Sequence, residues 1–97
     1  MIYESKIKFI LGYYSTEEQL LQTAEEASEL AQAALKVRRA SKPEDKMAAL
    51  NHLKEEMADV VVMLDQMMYA YDCEGEVAQI AEAKTDREVG RITKEAS

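Results

Sequence analysis

The chain has little of what most structural and functional classes require. It holds three glycines, one proline and one cysteine among 97 residues. No Asn-Gly or Asp-Gly pair marks a tight hairpin, so nothing signals a β-rich fold. Cys73 has no partner for an internal disulfide and fits a reducing cytoplasm. No apolar run approaches the roughly 20 residues of a membrane span. The first residues, MIYESKIKFILGYY, carry early charges and no uninterrupted apolar stretch of signal-peptide length, so a soluble, untargeted, cytoplasmic protein is expected. Positive charge is in deficit, with 12 Lys and Arg against 19 Asp and Glu. That balance argues against nucleic acid as the main partner, because such binding rests on cations that neutralise phosphates. A small anionic ligand stays compatible if metal ions screen it.

What the chain does have is a wealth of strong helix formers: Glu, Ala, Leu, Met, Lys and Gln. An all-α fold follows, as one domain over residues 1–97, with a modest core that self-association would help to complete. Ser15 with Glu18, and Ser41 with Glu44, read as capping boxes that open two long helices. The first runs from about Thr16 to Arg39 and the second from about Pro43 to Tyr71, with Pro43 tolerated in an opening turn. A connector as short as Ala40 to Lys42 makes them antiparallel neighbours. Ile7, Ile10, Leu11 and Tyr14 predict a short leading helix from about Tyr3 to Leu11, ending near Gly12. A last helix from about Glu76 to Lys94 presents Val77, Ile80, Ala81 and Ile92. The block Val60 to Leu64 has no polar residue on any side, which predicts burial on several sides.

Two acidic pairs stand out against this background. AEEASEL places Glu26 and Glu29 three residues apart on the first long helix, beside Glu25, and Glu56 and Asp59 repeat the spacing on the second. Each pair lies a similar distance from the connector, so antiparallel packing would make them face one another. Facing carboxylates repel, and burying one is costly unless it is paired, protonated or bound to a cation. Oxygen ligands without thiolate or clustered imidazole suit Mg²⁺ or Mn²⁺ better than Zn²⁺. For the first helix alone, solvated glutamates are the better reading, because Glu25, Glu26 and Glu29 lie away from the Leu20, Ala24, Ala27, Ala31 and Leu35 stripe. The second helix shifts the balance, since Glu56 and Asp59 share a side with Met63 that turns apolar one turn later.

Other residues carry weaker signals. A di-iron bundle wants Glu-x-x-His motifs, and no glutamate lies three before His52. His52, one turn before Glu56, reads as structural or as a neighbour of the ligands. Lys84 falls between Val77 and Ile80 on the wheel and is expected to point inward or snorkel. Arg87 and Arg91 follow it at helical spacing. Lys36, Arg38 and Arg39 suit the negative end of a helix. Cys73 has no catalytic partner nearby in sequence, and Met57, Met63, Met67 and Met68 read as adaptable core or subunit interface.

Glu25-Glu26-Ala27-Ser28-Glu29 followed by Glu56-Met57-Ala58-Asp59 resembles the EExxE and ExxD signature of the MazG-like nucleotide pyrophosphohydrolases, an all-α nucleoside triphosphate pyrophosphatase family. The flanks QLLQTAEEASELAQAALK and EEMADVVVMLDQM look similar as well. The resemblance covers Gly12 to Met68 well and the last helix loosely. It implies Mg²⁺-dependent cleavage of a nucleoside triphosphate between the α- and β-phosphates, giving monophosphate and pyrophosphate, with Mn²⁺ able to substitute. By position it makes Glu26, Glu29, Glu56 and Asp59 metal ligands and places Glu25 with Glu26 and Glu56 in the catalytic group, Glu25 in a supporting role that orients water. Lys84, Arg87 and Arg91 become candidates for the polyphosphate, and Gln19, with Tyr13 and Tyr14, for the base-side wall. The resemblance also implies a homodimer or a dimer of dimers. The competing expectation is a non-catalytic helical interaction or regulatory module.

Overall fold

The structure, a computed structural model, describes residues 4–96. Four helices fill them: α1 (Glu4–Tyr14), α2 (Thr16–Arg39), α3 (Pro43–Ala70) and α4 (Glu74–Ala96). The all-α class holds, with no strand among the described residues.

Local chemistry explains where each helix starts. Ser15 separates α1 from α2 and adopts a φ of 75°, a conformation that L residues rarely take. Its hydroxyl accepts from the Glu18 N–H at 3.3 Å and donates to Glu18 Oε1, while its own N–H donates to the Leu11 carbonyl at 3.1 Å. Half of the expected capping box therefore forms, because the backbone of α1 takes the N–H that Glu18 was to receive. α1 passes through Gly12 rather than stopping there. A single helical glycine costs only about 1 kcal/mol relative to alanine. Tyr3, where that helix was expected to begin, lies outside the described residues.

The Ser41–Glu44 capping box does not form. Lys42 is the residue before α3, extended at φ −78° and ψ 142°, with no side-chain cap. A residue preceding proline is pushed out of the helical region, so the helix cannot start before Pro43 and Ser41 sits one position too early. At the other end, Tyr71 N–H bonds to Met67 O and Cys73 N–H to Met68 O, with Asp72 left-handed at φ 49°. This turns the chain into α4, which starts at Glu74, two residues before the expected position.

α2 and α3 pack along their lengths and run in opposite directions, since Gln19 meets Gln66 and Glu26 meets Glu56. The covered row of α2 is Gln19, Thr23, Glu26, Leu30, Ala33 and Val37, with Thr16 and Gln22 half-buried beside it. Those of α3 include Leu53, Glu56, Val60, Met63 and Met67. Both rows alternate steps of three and four, the spacing of a coiled-coil seam. This overturns the expected inner face of α2: Leu20, Ala24, Ala27, Ala31 and Leu35 are all exposed.

The Val60–Leu64 block is likewise covered on one side only. Met63 is buried, Val60 is half-buried, and Val61, Val62 and Leu64 remain exposed. α1 lies against α2 and α3, burying Ile7. α4 touches α3 and, among the described residues, no other helix; none of its residues is buried. Lys84 therefore does not point into a core of its own chain, because nothing packs on α4 there.

Candidate metal centre

The carboxylates come together midway along the α2–α3 seam. Glu26 and Glu29 from α2 and Glu56 from α3 each offer an oxygen, and the three oxygens lie within 4.8 Å of one another. Glu56 is buried, Glu26 half-buried and Glu29 exposed, so the group runs from the seam outward to solvent. The three-residue step puts Glu29 almost one turn beyond Glu26 on a neighbouring line of the same helix.

A neighbouring side chain orients one oxygen of Glu26, and another stands near one oxygen of Glu56. Gln22 Nε2 donates to Glu26 Oε1 at 2.9 Å, one turn back along α2. His52 Nε2 stands 3.7 Å from Glu56 Oε1, one turn back along α3. The other oxygens, Glu26 Oε2 and Glu56 Oε2, are shut off from solvent and have no hydrogen-bond partner among the described residues. Leaving a buried acceptor unmatched costs on the order of 1–3 kcal/mol, more when it is charged. Two such oxygens in one cluster are an energetic liability in the absence of a cation.

Glu29 feels the same field. Its pKa lies above the ordinary glutamate value, chiefly because the Glu26 carboxylate stands beside it and secondarily because of Glu56. Like charges this close disfavour simultaneous ionisation. A divalent cation would reverse that preference by favouring all three anions at once. The donor set is all carboxylate oxygen, the kind that hard Mg²⁺ or Mn²⁺ prefers, and the buried oxygens without hydrogen-bond partners are the ones that would hold such an ion.

The remaining expected site residues are distributed more widely. Asp59 and Glu25 are exposed and do not belong to the three-carboxylate group. Gln19 is buried and hydrogen-bonded across the seam, yet it also lines a cavity of about 460 Å³ with Tyr14, Glu18, Leu21 and Gln22. That cavity adjoins the centre through Gln22, the residue that holds Glu26. Lys84, Arg87 and Arg91 lie along one exposed face of α4, together with Glu88, which pairs with Arg91. Within one chain this cluster belongs to a helix that does not touch α2.

Two residues of the site escaped the sequence reading. Gln22 could have been found from its position four before Glu26, a pairing distance on a helix. Gln66 carried no such local signal, because its partner is 47 positions away. Comparison of the chain with protein-family models, curated proteins and solved structures gives no match.

Proposed function

We propose that this protein is a Mg²⁺-dependent nucleoside triphosphate pyrophosphohydrolase that works as a homodimer or a dimer of dimers. The observation that carries this reading is the pair of buried, unmatched oxygens on Glu26 and Glu56, with Glu29 beside them, at the positions of the EExxE and ExxD motifs. Mn²⁺ would substitute for Mg²⁺ on the same oxygens.

In this reading Glu26 Oε2 and Glu56 Oε2 bind the cation and Glu29 completes the set from the solvent side. Asp59, on the solvent side of α3, would join through a rotamer change or a water. The cation supplies charge neutralisation and positioning of the phosphates. Glu25 orients the attacking water. That water adds to the α-phosphorus and gives up a proton to the surrounding solvent, the bond to the α–β bridging oxygen breaks, and the electron pair leaves with pyrophosphate. Lys84, Arg87 and Arg91 would hold that leaving group from a neighbouring subunit's α4, since α4 does not reach α2 in its own chain. Gln19 and Tyr14 line the adjoining cavity, where the base would lie.

Surface accounting supports the oligomer. The chain exposes 7628 Å², against about 5,600 Å² expected for a compact protein of this mass. Its radius of gyration is 16.9 Å, against about 12–13 Å for a compact domain of this length. An excess of roughly 2,000 Å² per chain is what an obligate homodimer interface would remove. Leu20 and Leu35 on α2, with Leu50, Met57, Val61 and Leu64 on α3, are all at least 40% exposed in the single chain. At about 100° per residue in antiparallel helices, these two rows fall on the same side of the hairpin, away from Glu29 and Asp59.

The same apolar rows also favour a second reading, a helical interaction module without catalysis. Incubating the protein with each common ribo- and deoxyribonucleoside triphosphate plus Mg²⁺ separates the two. Monophosphate with pyrophosphate is the expected product, and intact triphosphates throughout would favour the module.

A further inference from the structure

We infer that the buried Gln19–Gln66 amide pair is a positioning device. It sets the register of α2 against α3 and so keeps Glu26, Glu29 and Glu56 within reach of one cation. The inference rests on the reading of that cluster as a metal centre.

Gln19 Nε2 donates to Gln66 Oε1 at 2.9 Å across the seam. Gln66 is only 2% exposed and Gln19 is 8% exposed, and Gln66 is the largest fully buried side chain of the molecule's described part. Amides of this kind are usually solvated, so two of them facing each other inside a helix pair call for a reason. Around them the seam is built from Leu30, Ala33, Leu53, Val60 and Met63, whose contacts have little directional preference. Apolar rows with steps of three and four can slide past one another and still bury their side chains.

The carboxylates cannot prevent such sliding by themselves. Without a cation they repel, because three carboxylate oxygens lie within 4.8 Å of one another. The amide pair behaves in the opposite way: any slip leaves two polar groups unmatched in the interior, which is strongly disfavoured. Fixing helix register is the best-attested role of a buried polar group between helices.

Geometry carries that control to the metal centre. Gln19 stands about two turns before Glu26 on α2, and Gln66 about three turns after Glu56 on α3. Both spans are uninterrupted helix, so displacement at one end is transmitted to the other. A slip of one turn is about 5.4 Å, larger than the 4.8 Å within which the three oxygens lie.

The test replaces both amides with a side chain of similar length and no polar hydrogen, Gln19→Met with Gln66→Met, and takes two readings. The first is Mn²⁺ affinity, measured without nucleotide by the electron paramagnetic resonance of the free ion. The second is the distance between spin labels at Glu17→Cys and Asn51→Cys, both exposed positions, in a Cys73→Ser background diluted with unlabelled protein. We expect a folded, fully helical variant whose Mn²⁺ affinity falls about tenfold to a hundredfold, as for other residues that orient ligands. Its label distance broadens or shifts.

An unchanged distance would overturn the inference, whether or not Mn²⁺ affinity falls, because the amides would then not set register. A shifted distance with undiminished Mn²⁺ affinity would overturn the link to the carboxylates. If the unaltered protein bound no Mn²⁺ while the distance still shifted, register control would stand and the metal-centre reading would fail.

Discussion

Glu26 on α2 and Glu56 on α3 approach across the helix seam with an unmatched, solvent-excluded Oε2 on each. A cation that binds this arrangement and not the unfolded chain must raise the melting temperature. At a hundredfold excess over the dissociation constant the gain is about 2.7 kcal/mol. Thermal melting with Mg²⁺ or Mn²⁺, compared with Na⁺ of equal ionic strength, checks this. An equal rise in Na⁺ would remove the metal site from consideration.

Glu56→Gln separates chemistry from folding. It removes a buried charge and provides an amide, so the cation-free protein should gain roughly 1–3 kcal/mol of stability. Turnover of triphosphate should fall to background while the oligomer persists. Retained Mg²⁺-dependent activity would exclude Glu56 from the catalytic group.

The raised pKa of Glu29 gives a signed pH dependence. A proton bound more tightly in the folded state stabilises the protein below the unfolded value near 4.5, and that contribution is lost as pH rises through the folded pKa. The cation-free melting temperature should therefore carry a downward term from Glu29 over that window. Glu29→Gln should remove the term, and parallel melting curves for the two proteins across the window would contradict it.

Met57→Glu tests the outward apolar row of α3. Met57 is 48% exposed in the single chain, whereas Val61 of the same row also lines the apolar cavity with Ile7 and Ile10 of α1, so a charge at Met57 is tolerated by the protomer and opposed by a second copy. Sedimentation should give a multiple of 11.0 kDa for the unaltered protein and a shift toward one chain for the variant. A variant of unchanged mass would move the interface elsewhere.

Replacing Lys84, Arg87 and Arg91 by alanine examines their expected role with the polyphosphate. KM for triphosphate should rise while Mn²⁺ affinity, measured without nucleotide, stays the same. Loss of metal affinity would instead mean that α4 supports the centre structurally.

Much of the secondary structure was legible because its determinants are local. The bounds of α2 were readable from the capping serine at one end and the short connector at the other, and Pro43 marked the start of α3. Ser41 misled because the extended residue before Pro43 moves the cap by one position. The inner face of α2 was harder. A wheel finds the most apolar stripe, here Leu20 to Leu35, whereas the seam within the chain uses Gln19, Gln22, Glu26 and Ala33. A helix with two faces to cover cannot announce which one its own chain will take. The motif spacing pointed to Glu26, Glu29 and Glu56 together, but their separation from Asp59, and the Gln66 partner of Gln19, depend on contacts between helices.

α4 has 23 residues and none of them is buried. Helices without tertiary support depend on their own backbone hydrogen bonds and are only marginally stable in water. The amides of α4 in a lone chain should therefore exchange with solvent deuterium far sooner than those along the Gln19–Gln66 seam. Slow exchange there would be a footprint, showing which turns another surface shelters.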